Sequence, residues 1–264
     1  MATLVWDQVG TRYYESGLDR GVLYLQDGTV VPWNGLTAIT ETFSGTVTPV
    51  YFDGMKVNDL FANGDYAAKL TAITYPNEFS EVEGLGFIRN GVWVADQKPQ
   101  TFGLSYRTKI GNDTEGDEIG YKIHLLYNVT AVPSDRNYQT NSNNTSIIDF
   151  EWNLTAVPQE IPGFLPTAHY IFDSTKVEQS LMLELEKILY GVPGTNPILK
   201  PIDELYLFIA TYFTLEIIDN KDGTWTATDR DGSLITMISE TEYTIEANVV
   251  VLNANTYTIA SELA

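Results

Sequence analysis

Two histidines, His124 and His169, and no cysteine stand among the 264 residues. That inventory removes thiolate nucleophiles, zinc ribbons, cysteine-ligated clusters and disulfide scaffolds, and leaves little material for a histidine metal site. His124 alternates with Lys122 on the polar side of its run, and His169 lies in a mainly apolar segment, which suits a hydrogen-bonded core histidine better than a ligand. Carboxylates are abundant instead. With 35 Asp and Glu some pair must lie close together in any fold, so a glycosidase-like acid and base is an open alternative without a motif of its own. Trp6, Trp33, Trp93, Trp152 and Trp225 could act as sugar platforms, although tryptophans of a β protein are mostly core or interface. The run Asp113, Glu115, Asp117, Glu118 has the oxygen density of a cation loop, yet Gly116 is not at the sixth position and His124 stands where a bidentate Glu is needed. No G-x-S-x-G elbow, Walker loop, dinucleotide fingerprint or zinc-protease motif occurs. These residues predict a protein that is not an enzyme and holds neither cofactor nor metal.

The charge balance narrows the partners. Fifteen Lys and Arg against 35 acidic residues leave a net charge of −20. Affinity for nucleic-acid phosphates comes from counterions released by clustered Lys and Arg, so a grip on DNA and on anionic membranes is disfavoured. Hydrophobic residues at 44% and aromatics at 12% separate this acidity from that of a disordered tail. The opening MATLVWDQVG has no basic segment or apolar core of a signal peptide, and no stretch approaches ~20 apolar residues; a cytoplasm is the expected compartment.

The elements that would position any site follow the strand period. Gly21 to Trp33 reads as a hairpin around Asp27-Gly28, a dipeptide that tolerates positive φ. Residues 65–75, 101–110, 119–130, 146–155 and 167–172 alternate as strands. Between them, 110–120 and 131–145 are polar connections. Thr175 to Glu178 has the pattern of a capping box; Val177, Leu181, Leu183, Leu185, Ile188 and Leu189 follow near helical spacing, with Gly191 as the stop. One flanking helix over about 176–190 is expected. Pro193, Pro197 and Pro201 then predict a stiff, extended connector, with a short helical stretch over 202–210. Beyond Thr214, Asp222-Gly223 and Asp231-Gly232 punctuate short strands. The expected organisation is a mainly β domain over 1–200, a connector over 201–213 and a small β domain over 214–264. The last 64 residues hold 11 acidic and 2 basic side chains, which suits an exposed appendage.

If the strands at 101–110, 119–130 and 146–155 are neighbours, Phe102, Leu104, Tyr106, Tyr121, Ile123, Leu125, Tyr127, Ile148, Phe150, Trp152 and Leu154 share one apolar face. Arg107, Lys109, Lys122, Asp149 and Glu151 then share the other. Those charges read either as a solvated outer face or as a subunit contact whose register they set.

Read together, several long blocks resemble the major tail tube proteins of long-tailed, siphovirus-type bacteriophages. They are VWDQVGTRYYESGLDRGVLYL, VVPWNGLTAITE, YFDGMKVNDLFANGDYAAKLTAITYPNEF, FGLSYRTKIGNDTEGDEIGYKIHLLYN and PTAHYIFDST running into the helix and LYG. The resemblance covers residues 1 to about 205 and is weaker for the final domain. It implies a tail-tube β-sandwich or barrel with one flanking helix and a small C-terminal β-sandwich-like domain. Six copies would form a ring, and rings would stack into a tube through which the genome leaves, in a virion tail assembled in the host cytoplasm. It implies as partners further copies of the chain, a tape measure protein in the lumen, and terminator and distal tail proteins at the ends; DNA passes without specific binding. The N-terminal arm, 1–10 with Trp6, and the segment Thr48 to Asn63 with Tyr51, Phe52, Met55, Leu60 and Phe61 would reach the next ring. Glu41, Asp65, Thr71, Asp149 and Glu151 are the candidates for the lumen wall. An acidic wall repels phosphates and so suits a conduit. The alternative is a carbohydrate- or receptor-binding β module of a virion.

Overall fold

The computed structural model describes residues 4–42, 45–62, 66–136, 138 and 148–212, and four strands in the remaining C-terminal stretch. In chain order the strands are β1 (Tyr14–Tyr24), β2 (Val30–Trp33), β3 (Leu36–Thr42), β4 (Thr46–Phe52), β5 (Met55–Ala62), β6 (Tyr66–Ala72), β7 (Gly86–Arg89), β8 (Val92–Val94), β9 (Phe102–Asn112) and β10 (Gly116–Pro133). They continue with β11 (Phe150–Ala156), β12 (Gln159–Ile161), β13 (Phe164–Thr167), β14 (His169–Asp173), β15 (Glu216–Asp219), β16 (Trp225–Thr228), β17 (Ile235–Ser239) and β18 (Glu242–Ile245). The helices are α1 (Phe79–Val82), α2 (Gln179–Tyr190) and α3 (Ile202–Thr211). The fold is mainly β, with every strand pairing antiparallel.

Two compact units divide the chain: residues 1–178 with 186–199, and residues 179–185 with 200–264. In the first, one sheet runs β2-β1-β9-β10-β11-β6-β3, and β14 also pairs with β10. Only Asn34 and Gly35 separate β2 from β3 in the chain, so the two ends of this order are held together and the sheet must curl on itself. The chain closes the β1–β2 hairpin as expected from Asp27-Gly28: Gly28 takes a φ of +87°, and Leu25 and Thr29 exchange the closing bond, N–H to carbonyl, at 2.9 Å. Inside the curl, Leu23, Leu70, Phe102, Leu104, Leu126, Val129, Trp152 and Leu154 are buried with Phe79 of α1. Phe79 meets Trp33, Trp152 and Phe102 at ring-centroid distances of 4.4, 5.1 and 5.5 Å. The indole N–H groups of Trp33 and Trp152 reach the Thr74 carbonyl at 3.0 Å and the Glu83 carboxylate at 2.8 Å, so neither polar tip is buried unpaired.

The register corrects the predicted apolar face. Tyr106 lies opposite His124 and Leu104 opposite Leu126, whereas Ile123 and Leu125 stand opposite Arg107 and Ser105. Tyr121, Ile123, Leu125 and Tyr127 therefore belong to the other side of the sheet from Phe102, Leu104 and Tyr106. Up to Leu126 the ladder pairs even-numbered residues of β9 with even-numbered residues of β10; it then skips from Leu126 to Val129 in a bulge, with Asn128 at a φ of +48°. Even-numbered residues of β10 face the core before the bulge and odd-numbered ones after it, so strict alternation fails halfway along the strand. Both sides are covered nonetheless. Ile123, Leu125 and Ser105 are fully buried, and on that side the Tyr24 hydroxyl donates to the Leu189 carbonyl at 3.0 Å.

Local differences have local reasons. The polar connection expected over 110–120 shrinks to a tight turn, because Asn112 Oδ1 accepts the backbone N–H groups of Thr114 and Glu115 at 3.0 and 2.7 Å. The capping box does not form. Thr175 instead donates to Asp173 Oδ1 at 2.6 Å, and α2 starts at Gln179 without a side-chain cap. Val177 thus precedes the helix and Leu183 is exposed, while Leu181, Met182, Leu185 and Leu189 are buried. Gly191 ends α2 at a φ of +76°. Residues 191–198 turn back rather than extend: Val192 bridges Thr195 and the Ile198 N–H bonds the Ile188 carbonyl at 2.8 Å. In the second unit α3 occupies the start of the expected connector, and β15–β16 and β17–β18 are antiparallel hairpins. The dipeptides Asp222-Gly223 and Asp231-Gly232 lie outside the described residues.

Asn tolerates the left-handed region and β-branched residues do not. We expect Asn128→Val to cost about 1–2 kcal/mol in urea denaturation, and Asn128→Gly to stay within about 0.5 kcal/mol of the parent. Equal stabilities for the two variants would show that the bend does not depend on this backbone conformation.

Candidate functional site

Three hairpins stand outside the main sheet and carry exposed apolar side chains. The largest is β4–β5, whose strands pair only with each other. Its tip is Asp53-Gly54, with φ values of +48° and +78°, the pair of positive values a two-residue type I′ turn requires. Val47, Tyr51, Phe52, Met55, Val57 and Leu60 are all exposed, Met55 at 69%. A two-stranded ribbon is marginal in water without a third layer, and these apolar side chains are left exposed to it. Tyr51, Phe52, Met55 and Leu60 thus do not fold back into the core. The side chain of Phe61 lies outside the described residues. In β7–β8, closed by Asn90-Gly91, Phe87, Ile88, Trp93 and Val94 are exposed, with Phe87 and Trp93 edge to face at 5.2 Å. In β12–β13, Phe164 and Leu165 are exposed. Neither of these two hairpins was anticipated, although Asn90-Gly91 is a strong local hairpin signal.

The N-terminal arm is anchored at its base. The Gly10 N–H donates to Asp113 Oδ1 at 2.9 Å, and Asn112 Nδ2 donates to the Gly10 carbonyl at 3.0 Å. Leu4, Val5, Trp6 and Val9 ahead of that anchor are exposed, Trp6 at 75%. The acidic turn suspected as a cation loop therefore uses Asp113 to hold the arm.

The charges proposed as a shared face are dispersed and engaged within the chain. Asp19 receives Arg107 through two bonds of 2.7 Å, and the guanidinium lies 4.6 Å from the Tyr121 ring centroid. Lys109 pairs with Asp117 at 2.9 Å, Lys69 with Glu151 at 2.6 Å, and Lys122 with Glu15. Lys122 lies opposite Thr108 and Arg107 opposite Ile123, so these two cations are on different faces of one ladder. Asp149 is exposed beside the start of β11. Of the lumen candidates, Thr71 is half-buried in β6, its carbonyl accepting the Thr37 hydroxyl at 3.1 Å, and Asp65 lies outside the described residues.

Glu41 has a different setting. Tyr106 and Tyr66 donate their hydroxyls to its Oε1 at 2.5 and 3.4 Å. His169 Nδ1 lies 3.8 Å from the same oxygen, and His169 Nε2 is 3.0 Å from His124 Nδ1. His124 Nε2 meets the Thr108 hydroxyl at 3.2 Å, and its ring stacks on Tyr106 at 4.6 Å. Both histidines of the chain thus come together, from β10 and β14. Desolvation, then the neighbouring His169, pushes His124 down to about 4; burial lowers His169 as well, with Glu41 opposing. Burial raises the Tyr66 and Tyr106 phenols. At neutral pH the cluster holds neutral imidazoles and neutral phenols. Sequence alternation placed His124 on an outer polar face; the β9–β10 register puts it on the core side.

The carbohydrate alternative loses two of its platforms, since Trp33 and Trp152 are buried. The one acidic residue buried among those described, Glu83, is engaged by Trp152 and Arg136.

No protein-family profile matches the sequence, and no curated protein does. Among solved structures, the chain is similar to a subunit of the sheath-tube complex of the PVC extracellular contractile injection system in its extended state. That match has 12% identity, covers 64% of this chain and 94% of the other, and has a TM-score of 0.29. A component of the tube-terminating cap of the anti-feeding prophage is similar at 14% identity over 66% and 96% of the two chains, with a TM-score of 0.30. Likeness of this degree decides nothing about function, which must be argued from the chain itself.

The Arg107 pair holds the Asp19 carboxyl below its usual range. A depressed folded value contributes stability above the unfolded value of about 3.9, lost as pH falls through the folded one. Asp19→Asn should therefore cost about 1 kcal/mol at neutral pH, and the gap to the parent should close as acidification protonates the folded Asp19 carboxyl, below the unfolded value. A gap constant with pH in urea titrations would remove the ion pair as its cause.

Proposed function

We propose that this chain is a structural, self-assembling subunit of a phage-type tail tube. Copies join side by side into rings, six to a ring, and the rings stack through the β4–β5 ribbon and the N-terminal arm. The observation that carries this reading is the β4–β5 ribbon itself. Among the described residues it has no third strand, and none covers its apolar side chains. A second copy of the chain, presenting apolar surface of its own, completes it. The sequence blocks that resemble major tail tube proteins support the same reading.

The electrostatics fit such a role. Six copies at −20 each repel one another, so assembly must rest on buried apolar and hydrogen-bonded contacts. An acidic conduit lets DNA pass without holding it. A tape measure protein in the lumen, terminator and distal tail proteins at the ends, and assembly in a host cytoplasm into a virion tail complete the proposal. Thr71, Asp149 and Glu151 remain proposed for the lumen side, and Arg107, Lys109 and Lys122 for the junction between subunits.

Purified chain should form tubes visible by electron microscopy, more readily at raised salt, where repulsion is screened. Tyr51→Asp combined with Phe52→Asp should abolish tubes in sedimentation and microscopy while leaving circular dichroism unchanged. A parent protein that stays monomeric at every salt concentration, with or without its lumen partner, would overturn the reading; so would a doubly charged variant that polymerises like the parent.

A further inference from the structure

We propose that Glu41, His124 and His169 bind a divalent first-row transition ion, Zn2+ foremost, which staples β3 to β10 and β14. This inference does not rest on the tube reading. One donor atom from each residue lies within 4.8 Å of the other two, and His124 Nδ1 and His169 Nε2 are 3.0 Å apart. Zinc–nitrogen bonds of about 2.0–2.1 Å in tetrahedral geometry set two donors about 3.3 Å apart, so the imidazoles need open by only a few tenths of an ångström. A bare imidazole pair could share one hydrogen bond instead, but three features exceed what that bond requires. A carboxylate oxygen of Glu41 lies within 4.8 Å of a nitrogen of each imidazole. The Thr108 hydroxyl occupies the other nitrogen of His124, leaving Nδ1 for the shared point, as outer partners of ligating histidines do. Tyr66 and Tyr106 both hold Glu41, and Tyr106 also stacks on His124, so ligand and support are tied into one unit.

The donor set selects the ion. Two imidazole nitrogens and one carboxylate oxygen suit Zn2+, Co2+, Ni2+ or Cu2+; Ca2+ and Mg2+ demand six or more oxygens, or near-octahedral oxygen shells. The position also has a mechanical meaning. β3 ends the order of the curled sheet, and β10 is its middle. An ion held by Glu41 of β3 and by the histidines of β10 and β14 would clamp the curl across its interior, so binding free energy becomes folding free energy.

The test uses the full, untagged chain freed of metal by a chelator. Calorimetry with Zn2+ should give one ion per chain and a raised unfolding temperature, and Co2+ should give the visible spectrum of a four-coordinate site. His124→Asn and His169→Asn should each abolish the spectrum, and Thr108→Val should weaken binding about tenfold. Should the histidine variants not fold, the imidazole 15N signals of the parent decide: both must shift with the added equivalent of Zn2+. Absence of binding by Zn2+ and Co2+, or binding that leaves both imidazole signals unmoved, overturns the proposal.

Discussion

The bend of β10 at Tyr127 and Asn128 is the constraint on which the first unit depends. One edge of this 18-residue strand pairs with β9 between Gly116 and Val129, while the other is shared: 122–126 belong to β14 and 129–133 to β11. At the changeover the Tyr127 N–H bonds the Ala168 carbonyl at 2.9 Å, and the Asn128 carbonyl accepts the Val157 N–H at 3.2 Å. These bonds to flanking segments replace ladder bonds that the bulge removes, which helps a buried strand to turn. Without the turn, β11 could not carry the sheet onward to β6 and β3, and the two-residue link between β2 and β3 could not be met.

From the same bend follows the composition of the two faces. Leu126 and Val129 are both fully buried in one core although they are three residues apart, and Ile123 and Leu125 are buried on the reverse. The central strands are therefore largely apolar on both sides, and the charges they do carry, Arg107, Lys109 and Lys122, find partners within the chain. A body satisfied in this way leaves its unpaired apolar surface to the arm and the protruding hairpins. That division of labour, a rigid curled sheet with sticky ribbons, is the physical basis for reading the chain as an assembly subunit.

Polar groups inside the curl follow a different logic. Glu41, His124, His169, Tyr66 and Tyr106 come from five strands and satisfy one another. Buried polar groups must be fully bonded or they destabilise the core, and this network achieves that only because the register brings residues 41, 66, 106, 124 and 169 to one place.

Much of the architecture was readable from local rules. Period-two alternation marked β6, β9, β10, β11 and β14, Asp27-Gly28 marked the first hairpin, and Gly191 marked the end of α2, because each depends on neighbours within a few residues. The hairpin signals Asp53-Gly54 and Asn90-Gly91 were equally local. What alternation could not supply was the β9–β10 register, which turns even-numbered residues of β10 inward up to Leu126, and the bulge that reverses this parity from Val129 onward. For that reason the histidines looked unrelated in sequence, 45 residues apart, and Glu41 looked like a free acidic side chain. By itself the sequence determined a mainly β, strongly acidic protein without a catalytic motif. Only the tertiary structure decided which faces are buried, which ribbons stand free and that both histidines meet one carboxylate, because register and curl are long-range properties set by strand pairing rather than by any residue's own preference.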